Sequence, residues 1–144
     1  MTMGARAPSP AGRHLTRAIW LCVAIGSAAA CEDMAVALGP DNNVIVTNQA
    51  TSFRLQVSNM DNVIDATSYT WVSPDSQAKI LHRSLVPHGV VDIKVLDPNS
   101  LVLYQGSLVY ETDTITAKGK PGPWTIQFQM KAATGKIDVT LEKP

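Results

Sequence analysis

Residues 124–130, Trp-Thr-Ile-Gln-Phe-Gln-Met, alternate strictly between apolar and polar side chains. Strict alternation over this length predicts a β-strand with one buried face and one exposed face. The rigid sequence Gly-Lys-Pro-Gly-Pro at 119–123 precedes this strand, and Ala-Ala-Thr-Gly at 132–135 predicts a turn after it. Residues 137–141, Ile-Asp-Val-Thr-Leu, then alternate in the same way. We therefore expect an antiparallel hairpin at the C-terminal end of the chain.

The same alternation occurs further upstream. Residues 51–58 alternate cleanly, and a strand at 67–72 would place two aromatic residues on one face. Between these strands, the polar residues 59–66 predict a loop. Residues 89–96 and 101–104 are expected to form a hairpin, because the Asp-Pro-Asn-Ser that joins them is typical of a tight turn. The remaining predicted pieces are a strand at 44–46, a strand of undecided register at 77–85, and short edge strands at 108–110 and 114–116.

This pattern indicates the fold class. About eight or nine short strands, without helical spacing between them, predict an all-β fold with antiparallel strands. We expect residues 44–144 to form a β-sandwich, either immunoglobulin-like or jelly-roll-like, and a small β-barrel is the alternative. Trp124 is expected to anchor the core by packing across the sandwich on Trp71 or Phe53.

Residues 1–30 have the order of a secretory signal peptide. Arg13, His14 and Arg17 precede an apolar run at 18–25, which gives way to small residues. The whole segment from 18 to 30 is shorter than the roughly 20 residues that a transmembrane helix needs. We therefore expect the chain to be exported and residues 1–30 to be removed.

The residues around Cys31 bear on how the exported protein is held. The sequence Ala-Ala-Ala-Cys at 28–31 resembles the lipobox of bacterial lipoproteins, with alanine in place of the usual leucine at its first position. This resemblance implies lipidation of Cys31, a linker at 31–43, and a lipoprotein anchored in a membrane of the cell envelope. The alternative is a secreted or periplasmic protein that is cut before Cys31 and keeps one unpaired thiol.

Charge and composition exclude two classes of protein. The chain of 144 residues is 45% hydrophobic, which excludes a disordered chain. Lys and Arg total 12 and balance 12 Asp and Glu, but residues 1–30 contain three arginines and no acidic residue. The rest of the chain therefore has nine basic and twelve acidic side chains, a formal net charge of −3. A negatively charged domain is poorly suited to phosphate backbones, so we do not expect nucleic-acid binding.

Two segments of the final hairpin carry a resemblance to a known family. Residues 122–128, Gly-Pro-Trp-Thr-Ile-Gln-Phe, match a Gly-x-aromatic-x-aliphatic strand, and residues 135–141, Gly-Lys-Ile-Asp-Val-Thr-Leu, match a closing strand. The order of features from 67 to 143 resembles small immunoglobulin-like sandwiches of exported bacterial proteins, including prepeptidase C-terminal domains and P-type domains of proprotein convertases. The resemblance implies a sandwich with an accessory role in folding, attachment or substrate contact.

Four residues invite a catalytic interpretation. His82, Ser84, His88 and Asp92 lie close together in sequence, and these residue types form hydrolase triads. However, no Gly-x-Ser-x-Gly sequence surrounds the serine, and two histidines do not complete a zinc site. We expect His82 to be a strand residue and His88 to lie in a turn. The protein is therefore predicted to be no enzyme and to need no cofactor.

Two kinds of ligand site remain open. Asp61, Asp65 and Asp97 lie in segments rich in Asp and Asn and are candidates for calcium binding, although turns need the same residues. Tyr104 and Tyr110 are the candidates for a sugar-binding surface, although core packing is the favoured interpretation for both. The leading hypothesis is a non-catalytic interaction, adhesion or accessory domain that contacts an envelope protein or glycan. A carbohydrate- or calcium-binding module is the alternative.

Overall fold

A computed structural model describes residues 35–144. The predicted signal peptide, the lipobox and Cys31 lie outside these residues. No α-helix occurs between residues 35 and 144, and most of this range is β-strand, so the predicted all-β antiparallel fold is confirmed. After a 3-10 turn at Pro40–Asn42, the strands are β1 (Val44–Asn48), β2 (Ser52–Ser73), β3 (Lys79–His82), β4 (Leu85–Leu96), β5 (Val102–Ser107), β6 (Thr112–Ile115) and β7 (Gly122–Glu142).

Two of these strands, β2 and β7, are far longer than expected and pair with each other along almost their whole length. The loop predicted at 59–66 is wrong, because β2 runs through these residues with three register shifts. The turn predicted at 132–135 is also wrong, because β7 continues through it. Asn62 and Ala132 have φ angles of 50° and 48° within these segments. The turn-forming residues therefore serve bulges that bend a continuous strand, rather than turns that end it.

Because β2 and β7 bend, the single seven-stranded sheet folds over on itself. Phe53 and Tyr69 both lie on β2, and a straight strand would separate them by about 50 Å. Their ring centroids are 5.6 Å apart, so the two halves of β2 face each other as in a sandwich. The first layer consists of β1, residues 52–57 of β2, residues 137–142 of β7, β3 and β6. The second layer consists of residues 65–73 of β2, residues 122–131 of β7, residues 90–96 of β4, and β5.

The inward side chains of both layers form one hydrophobic core. Trp124 is fully buried in this core, as predicted. Its partner is placed differently, because Trp71 lies beside Trp124 on the neighbouring strand of the same layer. The two rings meet edge to face, with centroids 5.8 Å apart. The expectation that Trp124 packs on Trp71 across the sandwich is therefore wrong, whereas Phe53 and Tyr69 do make such a contact.

The connections agree with the sequence in some places and not in others. The predicted hairpin is confirmed, since β4 and β5 pair on either side of residues 97–101. β6 lies at one end of the strand order, which confirms the predicted edge strand near residues 114–116. Residues 108–110 form a turn rather than a strand, and Leu108 within it is fully buried. The apolar residues that predicted a strand there include Leu108, which contacts the core from a turn.

Residues 35–43, which belong to the predicted linker, lie against β2. Val36 forms a parallel bridge with Val63 at the bulged middle of this strand. The backbone N–H of Leu38 donates to a carboxylate oxygen of Asp65 at 3.1 Å. The segment that precedes β1 is thus bound to β2 through Val36 and Leu38.

Candidate functional site

The outward face of the second layer forms a shallow depression across four strands. One row of paired residues crosses the layer from Ser68 through Gln127 and Lys94 to Gln105. The next row runs from Ala66 through Gln129 and Asp92 to Ser107. The depression measures about 430 Å³, which falls within the size range of small-molecule sites. We call this surface, with these eight residues, the polar face.

The alternation of the strands creates the polar face. On β7, the buried side chains of Ile126, Phe128 and Met130 point inward, so Gln127 and Gln129 point outward. On β4, Val91, Ile93 and Val95 are fully buried, so Asp92 and Lys94 between them face outward. The same residues that build the core therefore fix the position of each polar group outside it.

Most polar groups of this surface have no partner within the described chain. Between residues 35 and 144, the side chains of Ser68, Lys94, Gln105, Gln127 and Gln129 make no hydrogen bond or ion pair with one another or with their surroundings. Asp92 has one neighbour of opposite charge, Lys131, at 4.0 Å. Amide groups both donate and accept hydrogen bonds, and Lys94 adds a cation. The polar face can therefore bind a ligand rich in hydrogen-bonding groups.

A second concavity of about 540 Å³ lies between β1, the 3-10 turn and the edge of β2. Leu38, Val44 and Tyr69 contribute apolar side chains to its lining. The edge of β2 is tied across this gap, because the side-chain amide of Asn48 donates to the carbonyl oxygen of Thr70 at 2.8 Å. The bond occupies one of the backbone groups that an added strand would need.

Two of the three calcium candidates hold the backbone in place. Asp97 is buried and accepts hydrogen bonds from the backbone N–H groups of Asn99, Leu101 and Lys120. Burial alone would raise its pKa, but these three hydrogen bonds lower the pKa of Asp97 below its ordinary value. Asp65 accepts from the backbone N–H groups of Leu38 and Ala66.

The third candidate, Asp61, is exposed on β2. Within residues 35–144, no group of three or more His, Cys, Asp or Glu residues is placed to hold a metal ion. The three predicted calcium ligands thus lie at separate positions. Two of them, Asp65 and Asp97, accept hydrogen bonds from the backbone of neighbouring segments.

The two tyrosine candidates lie in different surroundings. Tyr104 on β5 is half-buried and packs against the core, as favoured from the sequence. Tyr110 lies in the connection between β5 and β6 and is 79% exposed, so the expectation that it packs inward is wrong. The two rings do not share one strand face, and the predicted pair is not a common aromatic platform.

The four residues considered for catalysis point in different directions. His82 is fully buried on β3, and neither of its ring nitrogens has a hydrogen-bond partner in the described chain. Burial lowers the pKa of His82, and the charge of Arg83 lowers it further. The Ser84 hydroxyl accepts from the backbone N–H of Asp138 at 3.3 Å, and no hydrogen bond joins it to His82 in residues 35–144.

His88 is exposed on β4 rather than in the predicted turn, because β4 extends back to Leu85 through two register shifts. Gly89 has a φ of 74°, and a Cβ there would lie 2.1 Å from the carbonyl oxygen of Ala132. The glycine read as a turn residue therefore allows β4 and β7 to approach closely. Asp92, the fourth residue, belongs to the polar face.

The sequence patterns did not identify Lys94, Gln105, Gln127 and Gln129 as site residues. Alternation already placed the two β7 glutamines opposite the aromatic residues, and it placed Lys94 opposite the β4 core positions. The missing information was the pairing register, since only register brings residues from four separate strands into one row.

No protein-family model matches the chain, and no curated protein matches it significantly. In residues 35–144, no helix has both the length and the apolar character needed to cross a bilayer.

Proposed function

We propose that this protein is a non-catalytic lipoprotein of the cell envelope whose β-sandwich binds another envelope molecule through the polar face. The observation that supports the proposal is the set of side chains there without partners: Ser68, Lys94, Gln105, Gln127 and Gln129. These polar side chains lie on a sheet face four strands wide and make no hydrogen bond or ion pair in residues 35–144. Their hydrogen-bonding capacity is available to a ligand.

The membrane anchor in this proposal is lipid on Cys31. Val36 is bound to β2 by two backbone hydrogen bonds, with Asn62 and Ile64. Five residue steps separate Cys31 from Val36, and an extended chain of that length spans about 17 Å. A lipidated protein would therefore hold its β-sandwich close to the membrane surface. Export without lipidation, to the periplasm or the medium, is the alternative.

The binding proposal is tested with the full-length Cys31→Ser protein, which has no site for the lipid anchor, and isolated cell envelopes of the producing cell. Gln127 lies in the centre of the polar face, and Gln127→Glu places a carboxylate there beside Lys94. We expect this variant to bind envelopes at least about tenfold more weakly than the protein with Gln127. Thr47→Glu is the matched control, since Thr47 is exposed on β1 in the first layer. Equal binding by both variants and the Cys31→Ser protein contradicts a role for the polar face.

The anchor is tested separately. Cys31→Ser should move the protein from the membrane fraction to the soluble fraction, because acyl chains contribute about 0.8 kcal/mol for each buried methylene. Intact-mass measurement of the membrane-bound wild type should show a diacylated N-terminal cysteine. An unmodified cysteine at the mature N-terminus contradicts lipidation and leaves the binding proposal standing.

A further inference from the structure

We infer that the centre of the polar face, formed by Lys94, Gln105 and Gln127, binds the carboxylate of an acidic saccharide. This inference rests on the proposed function, because it names the ligand class for the same surface. It differs from the predicted sugar site, which relied on Tyr104 and Tyr110.

Lys94 is the residue that gives this surface its charge preference. It is half-buried on β4, with Gln127 of β7 paired to it on one side and Gln105 of β5 on the other. Of the other strand lysines, Lys79 and Lys131 each have an aspartate within 4.0 Å. Lys94 and Lys136 have none in the described chain, and Lys94 is the one that is half-buried between amide side chains. A cation between two amide side chains, without its own carboxylate, is suited to a carboxylate from outside.

Asp92 adds a second requirement to the ligand. It lies two residues before Lys94 on the same face and is paired to Gln129. Lys131 lies 4.0 Å from it, so Lys94, Lys131 and Asp92 together carry one net positive charge. A carboxylate accepts hydrogen bonds only, and hydroxyl groups can donate them. The two rows together fit a molecule that presents hydroxyl groups beside a carboxylate.

The backbone at the centre of the depression favours a saccharide over a peptide, because the free strand edges of this layer, on β2 and β5, lie at its two sides. At the depression, β4 and β7 each pair with a strand on both sides, so their backbone groups are used by the sheet. A peptide that adds to a sheet relies on such groups, and here the ligand must be recognised by side chains. The outward side chains around the depression are polar, apart from the small Ala66, and offer no apolar pocket for peptide side chains.

The test is calorimetric titration of the full-length protein with an oligogalacturonate and with its methyl ester, which lacks the charge. We expect saturable binding of the acid and binding at least about tenfold weaker for the ester. Lys94→Met should weaken binding of the acid by a similar factor, whereas Lys94→Arg should retain most of it. Lys118→Met is the control, because Lys118 is an exposed lysine outside the polar face. Raising the salt concentration should weaken binding of the acid only.

Three results would overturn the inference: equal binding of acid and ester, unchanged binding by Lys94→Met, or tighter binding of a short acidic peptide. The inference is also overturned if the protein binds none of the three probes, the acid, the ester and the acidic peptide. The melting temperature of Lys94→Met shows whether a loss is due to unfolding, and if this variant unfolds, the comparison of the acid with the ester on the wild type carries the test. Failure here is distinct from failure of the proposed function, since envelope binding lost in Gln127→Glu would still support the polar face.

Discussion

The outward faces of the two layers use polar side chains in opposite ways. On the first layer, Arg54 and Asp138 form a two-pronged ion pair at 2.9 and 2.7 Å, and Gln56 donates to the same carboxylate. On the second layer, Lys94 and Gln127 lie side by side on neighbouring strands and form no side-chain bond in the described chain. β2 and β7 contribute residues to both faces, so one strand carries both kinds of polar group.

This contrast distinguishes structural polar groups from available ones. Further ion pairs of the first layer join Lys79 to Asp113 and, beside β3 and β6, Arg83 to Glu111, whereas Glu142 has none in residues 35–144. Groups that are already paired must lose those partners before they can bind a ligand. The unpaired groups of the second layer bear no such cost, and for that reason we place the candidate site there.

The inward side chains of both layers are mostly apolar and form one core, so the contrast between paired and unpaired polar groups does not extend to them. Truncating one of these side chains should cause the largest loss of stability. Trp124→Ala empties a fully buried aromatic position, so the free energy of unfolding should fall by about 3–5 kcal/mol. Chemical denaturation measures this change. Val72→Ala is the control on the same layer, because Val72 is 64% exposed and its truncation should change stability by less than about 0.5 kcal/mol. A loss below about 1 kcal/mol for Trp124→Ala would contradict its role as an anchor.

Buried polar side chains can also be compared between the layers. Asp97, in the turn that follows β4 of the second layer, has three hydrogen-bond partners. Asp97→Ala leaves three backbone N–H groups without their acceptor, and we expect the melting temperature to fall by several degrees. Its lowered pKa stabilises the fold above the unfolded value of 3.8, and this contribution disappears as the pH falls through the lower folded value. Asp61→Ala, at an exposed position, should melt like the wild type. Matching melting curves for the two variants would contradict the assigned role of Asp97.

His82 is the corresponding buried group of the first layer, but it has no partner. His82→Leu should raise the free energy of unfolding by roughly 1 kcal/mol, because it removes an unsatisfied polar group from the core. The lowered pKa means that the unfolded chain takes up a proton first, so wild-type stability should fall as the pH drops below 6.5. The variant should lose less over that range, as followed by thermal melting. His88→Gln, at an exposed position, is the control and should melt like the wild type at pH 7.

The smallest expected effects test the contrast itself. Arg54→Met removes the ion pair of the first layer, and because both partners are partly exposed the loss should not exceed about 1 kcal/mol. Gln127→Met on the second layer removes no bond, so stability should stay within about 0.5 kcal/mol of the wild type. Denaturation of both variants without ligand decides the matter. A larger loss for Gln127→Met than for Arg54→Met would break the distinction between structural and available groups.

Sequence patterns predicted the strands well but not their ends. Alternation correctly assigned the inward faces around Phe53, Trp71 and Trp124, because burial at every second residue leaves a local pattern. Residues 59–66 and 132–135 were misread because bulges and turns use the same small and polar residues. Only the long ladder between β2 and β7 distinguishes the two, and that pairing is not local.

The candidate site was predictable only in part. The outward direction of Lys94 and Gln127 followed from alternation, but their adjacency depends on the register of β4 against β7. Two of the aspartates, in contrast, predicted a ligand site where the structure shows a structural role. Asp97 looked like a calcium ligand because aspartate serves both metals and turns, and here its hydrogen bonds assign it to a turn.

β7 also determines when this chain can fold. It is the last strand to be made, yet it supplies a strand to each layer and pairs with β2, β3 and β4. Ser52 pairs with Glu142, which is 90 residues further along the chain. Folding therefore depends on contacts of long sequence separation, which form slowly. A growing chain that lacks β7 has no complete layer. The two layers should therefore form together, only after β7 has been made, and not one after the other.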